Sequence, residues 1–412
     1  MTSEAYVWVW LPGAEEPVPA GVARQDGPLV RFAYGERYRR RDGAISLYDD
    51  ELPLDLAGFV DPPPGLDIAG CLNDAGPDSW GQRVILNRVA GRDADFADLS
   101  TLRYLTEAGS DRIGALDFQS SAVEYVPRQS DQATLDDMLA VAARVEAGQP
   151  VPPELEQALR AGSSVGGARP KALLTDGDRH LIAKFSSQTD TWPIVRAEFL
   201  AMRMAARCGL DVAAVELTRA GGRDVLLVER FDRVPRTRRR RAVLSALTLL
   251  GLPETSPQLA AYGDLAEIMR RRFTQPRATR RELFARLVFN VLCGNTDDHA
   301  RNHAALWDGR TLALAPAYDI CPYLRVGGEA TQAMRLGFGD DPYRLSNVAG
   351  CIDRATVFGV TRAEALTIAH HQLDVIRASW DDACAEARLT ELERERIKRV
   401  FPHEYALHGL PS

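Results

Sequence analysis

Asn295-Thr-Asp-Asp-His-Ala-Arg-Asn302 is the stretch from which the rest of this chain is read. It sets a carboxylate, Asp297, five residues before a carboxamide, Asn302, and Asp319 follows seventeen residues further on. Upstream, Thr279 and Glu282 have capping-box spacing, and Leu283, Leu287, Val288, Val291 and Leu292 recur at helical intervals up to Gly294. A buried helix is therefore expected to end just before the octapeptide. Downstream, the runs 304–307 and 311–315 flank Asp308-Gly309, a strong hairpin signal. A hairpin brings its ends together, which would let Asn302 and Asp319 reach one cation.

The pattern is that of phosphoryl transfer to a hydroxyl. An Asp accepts the hydroxyl proton, an Asn five residues later holds magnesium, and a strand-end Asp holds the same metal cluster. The competing reading is an ordinary polar turn, since Asp, Asn, Thr and Gly satisfy local backbone groups. Asp298 beside Asp297 is a second candidate base, set aside only by counting five residues to Asn302. His299 and His303 are four apart, but the Glu of H-E-x-x-H is missing and the span reads as loop. His299 is read as orienting that loop.

A second signal lies upstream. Gly162 to Lys171, Gly-Ser-Ser-Val-Gly-Gly-Ala-Arg-Pro-Lys, is small and glycine-rich and leads into a hairpin of 172–175, the turn Asp176-Gly177, and 180–185. Small residues let backbone amides approach phosphate oxygens, although no Walker A sequence occurs. Of the 50 basic residues only Lys171, Lys184 and Lys398 are lysine. Where arginine fills nearly every basic position, a retained lysine points to a need for a compact ammonium. Lys184, in Ile182-Ala-Lys-Phe185, stands where a kinase strand carries its phosphate-gripping lysine. The bland alternative for each is a solvated surface lysine.

A helix is expected to open near Thr191, with Pro193 in its first turn, and to end before Gly209. Its stripe of Ile194, Ala197, Ala201, Met204, Ala205 and Cys208 includes Glu198. A buried carboxylate needs a partner, and Lys184 is the expected one. The alternative places Glu198 at the margin of the stripe, in solvent.

With these segments assembled, the chain resembles the HipA family, the kinase components of bacterial type II toxin–antitoxin modules. The resemblance is carried by Ser164-Val-Gly-Gly-Ala-Arg-Pro-Lys171, Ile182 to Phe185, Val228-Glu-Arg-Phe-Asp-Arg233, the octapeptide, and Ala317-Tyr-Asp-Ile320. It extends to Leu47–Leu54, Asp78-Ser-Trp-Gly81 and Asp111-Arg-Ile-Gly-Ala-Leu116 in the amino-terminal third. It implies an α+β, two-lobed protein-kinase-like fold with an amino-terminal accessory α/β subdomain. It further implies ATP and Mg2+, with Asp297 as base, Asn302 and Asp319 as metal ligands, and Lys184 on the phosphates. The backbone of Glu229, Arg230 and Phe231 would be the hinge that meets adenine, and Ser164, Val165, Gly166, Gly167, Ala168 and Lys171 the nucleotide loop. Ser164 matches an autophosphorylated serine whose modification pulls that loop away, with Ser163 a second acceptor and Arg169 near enough to hold the phosphate.

The partner so implied is a small helix-turn-helix, HipB-like antitoxin that holds the kinase inactive and carries it to operator DNA. The substrate so implied is a cellular protein, such as a translation factor or aminoacyl-tRNA synthetase, and the physiology is persistence. Two departures touch regulation: Arg169-Pro170 replaces a glutamine-glutamate pair found in many relatives, and 244–251 is more apolar than their equivalent. Two other classes share part of the pattern. A catalytically inactive nucleotide-binding co-repressor would not need Lys184, Asp297, Asn302 and Asp319 together. A small-molecule phosphotransferase would need them, but over an enclosed pocket.

Composition agrees with this reading. The chain has 412 residues, 45% of them hydrophobic, enough for a large core and two or three domains. Expected boundaries are 1–125 for the leading subdomain, 126–233 for the nucleotide lobe and 234–412 for a helical lobe. The start Met-Thr-Ser-Glu-Ala-Tyr-Val-Trp has no leader pattern and no run reaches membrane-span length, so a cytoplasmic protein is expected. The six cysteines lack C-x-x-C spacing and read as reduced core residues. A net charge of −7 argues against a chain dedicated to nucleic acid. Arg236-Thr-Arg-Arg-Arg-Arg241 is the exception: a solvated loop, or a contact for DNA phosphates within a complex.

Overall fold

The computed structural model describes residues 3–89, 95–128, 133–163, 169–187, 190, 192–325 and 327–411. Its chain forms two compact units. The first comprises Met1–Asp190, Thr218–Leu244 and Leu306–Arg310, and the second Thr191–Leu217, Ser245–Ala305 and Thr311–Ser412. The leading stretch 1–125 and most of 126–233 thus fall within the first unit. The glycine-rich residues Ser164, Val165, Gly166, Gly167 and Ala168, and the expected helix start at Thr191, lie outside the described residues.

In the first unit, strands β1 (Glu4–Val9), β2 (Val18–Asp26), β3 (Leu29–Tyr34) and β4 (Leu116–Gln119) form an antiparallel sheet ordered β3-β2-β1-β4. A second sheet is ordered β5-β6-β8-β7, from β5 (Lys171–Asp176), β6 (Arg179–Phe185), β7 (Val215–Ala220) and β8 (Arg223–Glu229). The β5–β6 turn is Gly177-Asp178, because Asp176 already pairs with Arg179. The expected turn at Asp176-Gly177 is off by one residue, and Gly177, at φ 58, supplies the positive dihedral a two-residue loop requires.

One face of the second sheet is core. Ala172, Leu181, Ala183, Phe185, Val225 and Leu227 pack against Trp80, Val84, Met138, Val141 and Leu159 from the helices Ser79–Val89, Leu135–Glu146 and Glu156–Gly162. Trp80 also donates its indole N–H to the Lys171 carbonyl at 2.9 Å. The Asp78-Ser-Trp-Gly81 motif therefore anchors the strand that follows the glycine-rich loop.

The second unit is mainly helical, and its axis is the helix Pro276–Cys293, in which Leu283, Phe284, Leu287, Val288, Phe289, Val291 and Leu292 are all buried. It packs on the helices Tyr262–Arg272 and Arg362–Glu386, and the latter also packs on Ile194–Arg207. The expected start at Thr279 is a turn late. Pro276 occupies the first turn, where its missing N–H costs nothing. Thr279 is buried, and Glu282 holds Arg286 at 2.8 Å rather than closing a capping box. Gly294 ends the helix at φ 74, as expected.

A three-stranded sheet ordered β11-β10-β9 joins β9 (Ala242–Ser245), β10 (Ala304–Trp307) and β11 (Leu312–Leu314). Gly309, at φ 92, lies in the β10–β11 turn. All six cysteines are buried and none forms a disulfide. Among the described residues no helix is long and apolar enough to cross a membrane.

Candidate active site

The octapeptide is pinned at its ends and floor. The Asn295 N–H donates to the Asn290 carbonyl at 2.9 Å, continuing the helix geometry, and Tyr323 N–H returns to the Gly294 carbonyl at 3.1 Å. Beneath the loop, the buried Asp298 carboxylate accepts from the Tyr262 hydroxyl and from the Asn290 amide at 2.6 Å, and lies 3.0 Å from His303 Nε2. Asn295 in turn donates to Asn290 at 2.9 Å. Asp298 is committed to this network and is a structural anchor, and His303 belongs to it.

Asp297 points the other way. Its side chain reaches solvent and its carbonyl accepts from the His299 N–H at 2.9 Å and from the Asn302 side-chain amide at 3.3 Å. The second of these bonds fixes the amide by its nitrogen and leaves Oδ1, the atom able to bind a cation, uncommitted to that contact. Protein packed around the Asp297 carboxyl raises its pKa, and the nearby charges of Asp319 and Asp298 add to the rise. His299 and a hydrogen bond from Tyr323 pull it back. The Asp319 charge is thus close enough to be felt at the Asp297 carboxyl. Tyr323 was not legible as a site residue, because its reach depends on how the chain turns after Asp319.

Asp319 itself has φ 59, in the left-handed region. Together with Asn302 it offers one carboxylate and one carboxamide. Among the described residues no group of three or more His, Cys, Asp or Glu side chains could hold a metal ion. A carboxylate and a carboxamide are ligand types that fit Mg2+, which is held by one or two protein oxygens and completed by phosphate oxygens and water.

Of the residues expected at the nucleotide, the first unit holds Lys171, Lys184 and the segment Glu229–Phe231. Lys171 and Lys184 stand directly opposite each other across β5 and β6, and Leu226 lies beside Lys184 on β8. In the same face, one pleat further along, Leu173, Ile182 and Val228 are in register. That face is an apolar floor ending in two ammonium groups.

The surroundings of the remaining expected residues are as follows. Glu198, on the helix Ile194–Arg207 of the second unit, is only 6% exposed, which decides against a solvated position at the margin of the stripe. Ser163 is buried, its hydroxyl donating to the Arg160 carbonyl at 2.7 Å and accepting from Gly109 N–H at 3.3 Å. Arg169 pairs with Asp190 at 2.5 Å. The Arg230 side chain is buried within an ion cluster. In the arginine run, Arg236 pairs with Asp178, Arg238 with Glu16 and Arg239 with Glu15, while Arg240 lies 3.6 Å from the Trp10 ring centroid and donates to the Ser110 carbonyl. Arg236, Arg238, Arg239 and Arg241 remain solvent-exposed, so the run is a solvated loop tethered by surface pairs to its own unit.

Residues 163–380, just over half of the chain, match the family model described as the HipA-like C-terminal domain. A protein of Sinorhizobium fredii named "Putative kinase Y4mE" is 32% identical over 284 residues, 62% of this chain and 65% of that protein. The "Serine/threonine-protein kinase toxin HipA" of Shewanella oneidensis is 29% identical over 145 residues, 31% of this chain and 34% of that protein. The chain thus spans less than two thirds of the length of each of these relatives. Among solved structures, the Shewanella oneidensis toxin–antitoxin complex of HipA, HipB and operator DNA contains a chain of the same fold, with a TM-score of 0.68 at 19% identity. That match covers 98% of this chain and 96% of the other.

Proposed function

This chain belongs to the HipA family, and from that premise we propose that it is an ATP- and Mg2+-dependent serine/threonine protein kinase, the toxin of a toxin–antitoxin module. The observation that supports the reading is the exposed Asp297, whose carbonyl holds the Asn302 amide and whose carboxyl feels the Asp319 charge, beside an Asp298 bound into the floor.

In this reading Asp297 accepts the proton of the acceptor hydroxyl as the phosphoryl group moves. Asn302 and Asp319 hold the metal, which when bound neutralises charge on the transferred phosphoryl group. Lys184 and Lys171 hold phosphate oxygens, and Leu173, Ile182 and Val228 offer the base an apolar surface beside the backbone of Glu229–Phe231. Most of the catalysis is positioning. Glu198 belongs to the same proposed nucleotide machinery.

The proposed partner is a HipB-like helix-turn-helix antitoxin, through which the chain would meet DNA. The proposed acceptors are a serine of a cellular protein and, in regulation, Ser164. Ser163 is the lesser candidate, because its hydroxyl is buried and hydrogen-bonded. The solvent-exposed arginines of 236–241 reach DNA phosphates only by giving up weak surface pairs.

The test uses purified, unphosphorylated protein with Mg2+ and labelled ATP, beside Asp297→Ala and Ser164→Ala. Mapping of labelled sites by mass spectrometry should find phosphoserine in the unaltered protein or in extract proteins, and none with Asp297→Ala. Absence of any transfer by the unaltered protein sinks the kinase reading. Undiminished transfer by Asp297→Ala sinks the base assignment alone.

A further inference from the structure

The segment Val228-Glu-Arg-Phe-Asp-Arg233 carries three ionised side chains that the proposed chemistry does not use. All are buried: the side chains of Arg230, Asp232 and Arg233 are 1%, 3% and 6% exposed. Arg230 grips Asp232 with two bonds, Nε to Oδ1 at 3.0 Å and Nη2 to Oδ2 at 2.8 Å. Arg233 reaches the same Oδ2 at 2.8 Å. Both guanidiniums also donate to Asp111 Oδ1, at 2.9 and 2.6 Å, and to the Arg112 carbonyl, each at 2.6 Å.

Gly114 closes the cluster, donating its N–H to Asp232 at 2.7 Å and accepting from Arg233 at 3.1 Å. It does so at φ 81, where a Cβ would lie 3.3 Å from the Val243 nitrogen. Asp111-Arg-Ile-Gly114 and Arg230 to Arg233 are thereby fastened together, although some 118 residues separate them. One residue before the cluster β8 ends, and the Arg230 N–H still bonds the His180 carbonyl of β6 at 2.9 Å.

We propose that Asp111 and Asp232 are positioning residues for the adenine base: through Arg230 and Arg233 they fix the path of the Glu229–Phe231 backbone where it leaves β8. The proposal rests on the reading that this backbone meets adenine. A strand end is the part of a ladder that frays most easily, and here charge-assisted bonds with rigid guanidinium planes lock it. Asp232 and both guanidiniums are buried while Asp111 is 36% exposed, so losing either carboxylate leaves buried guanidinium charge less compensated and the clamp works as a unit.

The readout is base-specific affinity. Calorimetry on the full chain would measure Kd for Mg-ATP and for Mg-tripolyphosphate, which lacks the base, in the unaltered protein, Asp111→Asn, Asp111→Glu and Arg233→Lys. The expected result is a rise of about tenfold in Kd for ATP in Asp111→Asn and Arg233→Lys, with little change for tripolyphosphate and partial rescue in Asp111→Glu. Arg233→Lys keeps the charge and carries the test if Asp111→Asn does not fold. Loss of both ligands alike, or an unchanged preference for ATP in either folded variant, overturns the proposal. Unaltered protein that binds ATP no more tightly than tripolyphosphate overturns the adenine reading beneath it.

Discussion

The Tyr262 hydroxyl donates to the Asp298 carboxylate in the buried floor of the octapeptide, and this bond separates two adjacent aspartates into different jobs. Asp298 is held by Tyr262, Asn290 and His303, whereas Asp297 is exposed to solvent. Asp298→Ala strands three buried polar partners and should cost about 3 kcal/mol or more in chemical denaturation. Asp297→Ala should leave the unfolding midpoint nearly unchanged while lowering the phosphoryl-transfer rate by about 100-fold or more. A stable, inactive Asp298→Ala would reverse the assignment.

Gly294 carries the loop's entry. At φ 74 it sits where a side chain is strained, and an added Cβ would lie 2.6 Å from the Val400 carbonyl oxygen. Gly294→Ala should destabilise the protein by about 2 kcal/mol, from the left-handed backbone and the contact together. Differential scanning calorimetry reads the loss, and an unchanged midpoint would refute it.

Magnesium dependence isolates Asp319. Asp319→Asn keeps a residue tolerated in the left-handed region and removes one charge. The Mg2+ concentration giving half-maximal transfer should rise about tenfold or more, with the ATP-binding lysines untouched. An unaltered Mg2+ requirement would remove Asp319 from the metal site.

Lys171 stands opposite Lys184 across their ladder, and Lys171→Met at this half-buried position should leave stability nearly unchanged. The KM for ATP should rise at the same time. A variant that loses stability and keeps its KM would show that the pair serves the fold alone.

Acid stability reports the buried cluster. Burial pushes the Asp232 carboxyl up, but the Arg230 and Arg233 guanidiniums outweigh it and bring it from 3.8 down to about 2. A depressed carboxyl contributes stability that is complete above pH 3.8 and lost as pH falls toward 2. That shift corresponds to about 2 kcal/mol, and denaturant melts across this range should lose it in the unaltered protein. Asp232→Asn should be less stable at pH 7 and show a flatter acid limb.

What the sequence made legible was local. Gly294 and Gly309 follow from backbone preferences that a few neighbouring residues set, and the same preferences located the β5–β6 turn to within one residue. The helix start was misplaced because two signals competed within four residues, and Pro276 prevailed over the Thr279 and Glu282 pair. The floor under the octapeptide was hidden, because Tyr262 stands 36 residues from Asp298 and its hydroxyl gives no periodic signal. Arg230 was read for its backbone alone, since its partner Asp111 is 119 residues away. The arginine run reads as solvent-facing and is so, but its contacts with Glu15, Glu16 and Trp10 were hidden by their distance in sequence.

The left-handed backbone at Asp319 also separates two acids by shape. Glutamate would bring the same charge, yet it lacks the short side chain that makes this dihedral region tolerable for aspartate and asparagine. Lengthening the acid by one methylene therefore forces a choice between moving the chain and moving the carboxylate. The position filters its own substitutions through conformation before any metal is offered, so Asn and Gly are the replacements it admits, and neither restores the charge.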